Sequence, residues 1–446
     1  MSKTETQTAT DVTVVGAGLG GCLTALTIAK QHPDASVRVL SSHEGRFDAH
    51  SGLINVLGYG HQESNRERHP EVLPAEPIQD PFAAVASLPE THPYRVASED
   101  GIRRALALFD ETVSGYRRGT PGQNGLALVG NGRLAPALRY PATVQPGLIS
   151  RDEPTALVGF EEAPQFDAEL AAARLAERVS YEVDAITIEL PVVLAEGATP
   201  IAVARALDDN ETLRQVLADR IEEELDSQSR VGLPAVLGLD EAPAVHREIQ
   251  ETCYAKPFEI PLGRPSILGR RLQSQFFTAL TEAGVSVERD CTVRGYTAEN
   301  GKISELVVRD ETGDRRDDAD AFVLATGGIG AGGLQATRGE QGQTVVAEPL
   351  FDCHVSGLDR ESDDSGQYSR LSLTSERLFD SQPFERVGLQ TNERFQPLAA
   401  DGTVQYQNLW AVGTCLAGLE PTRRGTQDGI ELTTGYAVGR QLANER

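Results

Sequence analysis

After a polar stretch over residues 1–10, the chain opens on a β-rich run, Asp11 to Val15, which stops at Gly16. Apolar positions then recur at helical spacing from about Gly20 to Gln31, and Val37 to Leu40 returns to a β-branched run. Strand, turn, helix and strand in that order predict a βαβ unit, the start of a doubly wound sheet. The Pro-, Glu- and His-rich segment from Gln62 to Pro93 reads as a loop leaving this first lobe. The block from Thr91 to Ala255 alternates acidic helical stretches (Ser98 to Gly115, Phe166 to Val179, Pro200 to Asp226) with strands, clearest at Val183 to Leu190 and Ala235 to Leu239. A helix from Ser266 to Ala283 and a strand from Val285 to Asp290 follow. Val293 to Asp310 forms two extended runs around Asn300-Gly301, a dipeptide that accepts positive φ in a type I′ hairpin turn. Asp310 to Asp320 reads as a solvated acidic turn, Ala321 to Ala325 and Leu409 to Val412 as buried strands, and Gly429 to Asn444 as a closing helix.

The expected fold is therefore α/β, a Rossmann-type nucleotide-binding arrangement in two parts with an inserted α+β cap. Its boundaries place a tail at 1–10, a nucleotide-binding lobe at 11–90, 256–345 and 400–446, a cap at 91–255 and an additional segment at 346–399. With 446 residues the chain is long enough for two cores.

Charge changes the picture. Asp and Glu number 66 against 41 Lys and Arg, a formal net charge of -25, and only Lys3, Lys30, Lys256 and Lys302 are lysines. Excess acid with scarce lysine suits a surface kept hydrated in concentrated salt, which screens its self-repulsion. It also argues against nucleic acid, whose phosphates need clustered cations. The five cysteines (Cys22, Cys253, Cys291, Cys353, Cys415) are scattered without a C-x-x-C, poor material for zinc or an iron–sulfur cluster. The N-terminus lacks an apolar signal core and no run of about 18 apolar residues occurs, so a cytoplasmic protein without a membrane span is expected.

Three segments carry candidate chemistry. Gly16-Ala17-Gly18-Leu19-Gly20-Gly21 is a G-x-G-x-x-G between a strand and a helix. Gly16 permits the turn, Gly18 lets the backbone approach a phosphate, and Gly21 lets helix and strand pack closely; Gly20 belongs to the same cradle. The helix N-terminus offers free N–H groups and a positive partial charge. A complete dinucleotide fingerprint expects Asp or Glu at the end of the second strand, where this chain has Ser41 and Ser42. That leaves a mononucleotide flavin open beside FAD. The second segment, Ala325-Thr326-Gly327-Gly328, ends a buried strand in a turn small enough to pass beneath a cofactor. In the third, Leu409-Trp410-Ala411-Val412-Gly413-Thr414 runs on through Arg423-Arg424-Gly425-Thr426-Gln427-Asp428-Gly429. There a strand, a small turn and a helix start would place N–H groups at a flavin ring edge, with Asp428 as a possible N-cap. The plain alternative for each is a glycine turn, a strand exit or a helix cap.

The wording and order of these segments resemble the B subunit of the anaerobic glycerol-3-phosphate dehydrogenases, over nearly the whole chain. Further matches are Ser51-Gly52-Leu53-Ile54-Asn55, His92-Pro93-Tyr94, Gly159-Phe160 to Phe166, and Arg264-Pro265-Ser266-Ile267-Leu268-Gly269-Arg270-Arg271-Leu272-Gln273. The resemblance implies an FMN-holding protein (FAD being the alternative) within a three-subunit enzyme. That enzyme oxidises sn-glycerol 3-phosphate to dihydroxyacetone phosphate and passes electrons to a membrane quinone. It further implies two partners, a catalytic FAD-bearing A subunit, where substrate is oxidised, and an iron–sulfur C subunit, which contacts the membrane. This chain would be peripheral to the membrane through the second of them. Cofactor contacts are expected from Gly16, Gly18, Gly20, Gly21, Ser41, Ser51, Gly52, Asn55, Thr326, Gly327, Gly328, Gly413, Gly425, Asp428 and Gly429. Arg423 to Gly429 is charged where bacterial members are mostly small. His50, His92 and His354 read as structural histidines rather than acid–base groups. Arg264, Arg270 and Arg271 serve either a phosphate or carboxylates that tie the cap down. Two rival readings are a self-contained flavin dehydrogenase of the fumarate reductase type and a cofactor-free assembly protein.

Overall fold

The computed structural model describes residues 10–43, 45–60, 76–190, 197–338, 344–357, 367–368, 373–374 and 382–445. The first apolar run forms β1 (Thr10–Val15), followed by α1 (Leu19–Gln31) and β2 (Val37–Leu40). β1 pairs in parallel with β2, Val12 opposite Val37, and on its other side with the end of a long strand over Gly313–Leu324, Val15 opposite Leu324. Val12, Val14, Val39 and Leu40 are fully buried, as expected of parallel strands covered on both faces.

The strand over Gly313–Leu324 departs from the expected solvated turn at Asp310 to Asp320. Only the link between Asp310 and Gly313 turns, and the acidic residues lie along the strand. Arginines hold them: Asp317, 1% exposed, is bound at 3.0 Å by Arg38, reaching over from β2, and at 3.0 Å by Arg315 of its own strand. Charge pairing across strands thus replaces the apolar pattern that marks an ordinary strand. The first half of this strand runs antiparallel to Lys302–Asp310, which in turn pairs with Thr292–Glu299. Asn300 and Gly301 both have positive φ (52° and 73°), as the hairpin reading required. Ser286–Glu288 adds to the edge at β2, and Leu409–Ala411 pairs in parallel with Phe322–Leu324. The C-terminal helix (Gln427–Asn444) crosses α1 at close range. A Cβ on Gly435 would lie 2.5 Å from the Gly20 carbonyl oxygen, and one on Gly439 would lie 2.7 Å from Thr27.

The second lobe has its own sheet, in the order Lys256–Ile260, Arg230–Pro234, Thr155–Phe160, Val183–Ile188, and every pair is parallel. Helices Ala168–Ala176, Pro200–Asp209, Glu211–Glu223 and Ala242–Thr252 accompany it, with separate cores around Leu217, Val231 and Val245 and around Leu157, Leu175 and Phe258. An α+β cap was expected; the antiparallel share is one short hairpin, Gly125–Leu128 with Leu134–Ala137, and the strand pair that brackets it in sequence, Tyr116–Arg117 with Tyr140–Pro141. Pro200 to Asp226 is two helices because Asn210 interrupts it, its side chain accepting from the Leu213 N–H at 3.0 Å. The strand expected at Ala235 to Leu239 lies at Arg230–Pro234 instead.

The lobes also divide differently from 91–255. The helix Pro93–Thr112 buries Ile102, Ala105, Leu106 and Phe109 in the core of the first lobe, whereas Lys256–Ile260 is an edge strand of the second. Helical periodicity marks a buried face but not its partner. Of the additional segment at 346–399, parts fall outside the described residues.

Candidate functional site

A cleft of about 750 Å³ opens at the carboxyl ends of β1, β2 and the strand ending at Leu324. This is where an open parallel sheet offers its ligand site. Gly16 turns out of β1 with φ 115°, its N–H donating to the Leu40 carbonyl at 2.8 Å. A Cβ there would sit 2.3 Å from the Ala325 carbonyl oxygen, so only glycine fits. Gly18 has nothing within 4 Å of a Cβ and faces the cleft with its backbone bare. Gly20 lies on the backbone of Glu431, and a Cβ on Gly21 would meet the Gly16 carbonyl oxygen at 2.0 Å, the close helix–strand contact expected of it. The first turn of α1 holds no acidic residue, so its positive end is left for a ligand anion.

Ser41 and Ser42 line the cleft beyond β2, with the Ser41 hydroxyl donating to the His43 carbonyl at 2.6 Å. Thr326, Gly327 and Gly328 line it from the second segment. The Thr326 hydroxyl oxygen is buried without a hydrogen-bond partner, an orphan that a bound group would satisfy. Gly413 lines it from the third, with φ 79° and its N–H donating to Thr434 Oγ1 at 2.9 Å; Gln427 and Glu431 of the C-terminal helix join it. The N-terminal glycine turn and the start of the last helix therefore share one cleft, with glycine backbones and an orphan hydroxyl that suit a phosphate-bearing ring cofactor.

Seven expected contacts do not line it: Gly21, Ser51, Gly52, Asn55, Gly425, Asp428 and Gly429. Their small size serves chain packing instead. Gly52 (φ 79°) is pressed on Leu268, whose Cβ would lie 2.5 Å from a Cβ at this position, and its carbonyl accepts from the Tyr116 hydroxyl. The Ser51 hydroxyl accepts from the Leu53 N–H. A Cβ on Gly429 would meet the Tyr94 hydroxyl at 2.2 Å and the Asn55 carbonyl at 2.5 Å. Gly425 ends the short helix Pro421–Arg424 in a left-handed turn. Asp428 is not the helix cap: Thr426 precedes the helix without a side-chain cap, and Asp428 bonds His50 Nδ1 at 2.5 Å.

Conversely, residues not expected at the cofactor lie on the cleft wall, among them His50, read as structural, and Glu431, which no sequence motif marks. His50 Nε2 lies 3.6 Å from Glu431 Oε2, so one ring bridges two acids of the last helix. Burial alone would lower the His50 pKa. Glu431, the Asp428 hydrogen bond and Asp48 outweigh it and raise the ring to about 9, while burial pushes the Glu431 carboxyl up. The spacing Asp428-x-x-Glu431 on one helical face was the available signal, but its histidine lies 378 residues away. His92 caps the helix Pro93–Thr112 by accepting from the Tyr94 N–H at 3.2 Å, and burial, with Arg424, lowers it to about 4. His354 is exposed. Arg271 grips Glu259 of the second lobe at 2.6 and 2.9 Å, and Arg264 pairs with Asp48 at 3.0 Å, so both serve carboxylates. The five cysteines are buried and free, and among the described residues no His, Cys, Asp and Glu group could hold a metal. Among them too, no helix is long and apolar enough to cross a membrane.

A glycine cradle and a small-residue wall on a doubly wound sheet define a nucleotide-binding flavoprotein, and the matching family is the FAD binding domain, over residues 11–430. A Halobacterium salinarum protein named as the probable B subunit of anaerobic glycerol-3-phosphate dehydrogenase is 34% identical over 443 residues, 97% of each chain. The anaerobic glycerol-3-phosphate dehydrogenase B subunit of Yersinia pestis is 26% identical over 454 residues, 98% of each. The chain belongs to the B-subunit family of the anaerobic glycerol-3-phosphate dehydrogenases, as its motifs suggested. Among solved structures, a 3-ketosteroid delta1-dehydrogenase from Sterolibacterium denitrificans covers 99% of this chain and 100% of its own at 12% identity, TM-score 0.43. An E. coli quinol fumarate reductase covers 98% of this chain and 70% of its own at 11% identity, TM-score 0.40. The FMN expectation finds no support here, since the family is one of FAD binding.

Proposed function

We propose that this chain is the flavin-bearing, electron-transferring member of a three-subunit glycerol-3-phosphate dehydrogenase, and that its flavin is FAD. The observation that carries the flavin reading is the convergence of Gly16, Gly18 and Gly20, of Thr326–Gly328, and of Gly413, Gln427 and Glu431 on one cleft. FAD is preferred to FMN because the cleft runs on past the glycine turn. It reaches Ser41, Ser42 and His43, then Cys291 to Arg294, an arm that a mononucleotide would leave empty.

When bound, the flavin supplies two-electron uptake and one-electron release. The chain's own residues do the rest. Gly18 and the start of α1 would hold the phosphates by backbone N–H groups, with Gly16, whose own N–H bonds the Leu40 carbonyl, shaping the turn. Gly327 and Gly413 would keep side chains off the ring, Thr326 would offer it a hydroxyl, and His50 and Glu431 would set the charge of the wall. The partners in this reading are a catalytic protein that oxidises glycerol 3-phosphate to dihydroxyacetone phosphate, and an iron–sulfur protein that passes electrons to a membrane quinone. The chain would work in the cytoplasm at high salt, attached to the membrane through that iron–sulfur partner.

The test is to purify the chain in concentrated KCl, release its cofactor by denaturation, and separate FMN from FAD by chromatography. FAD together with negligible glycerol 3-phosphate turnover by the chain alone supports the reading. FMN overturns the assignment of the cofactor. Turnover with an artificial acceptor favours a self-contained dehydrogenase, and a colourless folded chain favours an assembly role.

A further inference from the structure

One feature of the cleft wall is not needed to hold a cofactor. His50, Asp428 and Glu431 are 5%, 5% and 9% exposed, and they form a row of acid, imidazole and acid through the wall. Asp428 lies behind the wall and fixes His50 Nδ1 at 2.5 Å, while His50 and Glu431 both face the cleft. Glu431 is tied to the cradle as well, since Gly20 rests on its backbone and a Cβ on Gly413 would touch its side chain at 3.3 Å. Burying three ionisable groups is unfavourable unless each is paired, and a row in contact with the cleft keeps its charges where a ligand feels them.

Resting on the flavin reading above, we propose that His50 is a charge-setting residue of the cleft, whose imidazolium, anchored by Asp428, favours the reduced form of the bound flavin while Glu431 opposes it. Two-electron reduction with uptake of one proton leaves the ring one negative charge richer. A fixed cation in a water-poor wall stabilises that product over several ångströms, and a fixed anion destabilises it.

The groups facing the row agree. From the segment before it come His50 and Asp48, the latter partly neutralised by Arg264 at 3.0 Å. From the last helix come Asp428, Glu431 and Gln427, whose amide lies 3.4 Å from Glu431. From α1 and the strand exit come Cys22 and Cys415, thiols whose pKa burial pushes up, so that they carry no charge at neutral pH. His50 is thus the cation of the row, protonated up to about pH 9.

The test is spectroelectrochemical titration of the flavin in the purified full chain at neutral pH and constant KCl. It compares wild type with His50→Gln and Glu431→Gln, replacements that keep size and remove charge. His50→Gln should shift the oxidised-to-reduced equilibrium at least tenfold toward the oxidised form, a fall of about 30 mV for a two-electron couple. Glu431→Gln should shift it by a similar factor the other way. A residue that merely shapes the wall would move both potentials in the same direction or neither, and either result overturns the proposal. If His50→Gln does not fold, His50→Asn should lower the potential in its place, and an unchanged or higher value refutes the proposal. A wild-type chain without flavin defeats the flavin reading itself; a flavin with equal potentials in all variants defeats only this inference.

Discussion

Arg271→Leu is the perturbation whose size can be worked out most directly. Glu259 is fully buried at the edge of the second lobe's sheet, and Arg271 reaches it from the helix Ile267–Glu282 with two hydrogen bonds, at 2.6 and 2.9 Å. The same guanidinium donates to the Gly238 carbonyl at 2.9 Å, and Glu259 also accepts from the Leu237 N–H at 3.0 Å. Losing the arginine leaves a carboxylate inside the protein without its cation. Removing one partner of a buried pair typically costs about 3–5 kcal/mol, because the remaining charge stays desolvated. With m near 3 kcal/mol per molar urea for a chain of this size, the midpoint should fall by roughly 1 M or more. The assay is urea unfolding at constant KCl, followed by far-UV circular dichroism and by Trp410, the only tryptophan, buried in the first lobe. Because the pair joins the lobes, both signals should move together. In a Glu259→Gln background, Arg271→Leu should lose much less, giving a coupling above about 1 kcal/mol. The pH dependence has a definite sign. Burial raises the Glu259 pKa, but Arg271 and the hydrogen bonds outweigh it and hold the carboxyl below its ordinary 4.5. The wild-type contribution is therefore present above 4.5 and lost as pH falls through the lowered value. Without Arg271 burial prevails, the folded pKa rises, and the variant's penalty shrinks on acidification. A loss under about 1 kcal/mol, a coupling near zero, or a gap that widens toward low pH would refute the argument.

Three further outcomes follow from single sites. Gly16→Ala forces a Cβ to 2.3 Å from the Ala325 carbonyl at a φ of 115°, so the purified chain should lose its flavin absorbance and melt at lower temperature; full cofactor occupancy would contradict the cradle. His50, raised to about 9 from an ordinary 6.5, should contribute about 3 kcal/mol below pH 6.5 and lose it as pH rises through 9, so the stability gap to His50→Gln should narrow over that window in urea titrations. Arg230, 1% exposed, donates to the carbonyls of Pro146, Leu148 and Glu153 at 3.0, 3.0 and 2.9 Å. Arg230→Met removes a charged donor from all three, although Leu148 keeps the Arg151 N–H and Glu153 the Thr155 hydroxyl, and should destabilise the second lobe by about 1–3 kcal/mol by circular dichroism, with the Trp410 signal less affected.

Short-range physics was legible in the chain. Gly16 and Gly21 follow from steric necessity within one strand–turn–helix unit, and Asn300-Gly301 from the φ angles its turn requires. Local pattern thereby determined the nucleotide-binding unit, the hairpin and the family. Tertiary structure decided what depends on partners distant in sequence. Gly429 looked like a cofactor residue but is a packing glycine against Tyr94, and Asp428 looked like a helix cap but holds His50. Asp310 to Asp320 looked like a turn because its strand is built on charge pairs with Arg38 and Arg315 rather than on apolar alternation. The helix Pro93–Thr112 joined the first lobe because an apolar face records that it must be covered, not by what. A buried charge or a small residue takes its meaning from the group it touches, and chain closure over hundreds of residues chooses that group.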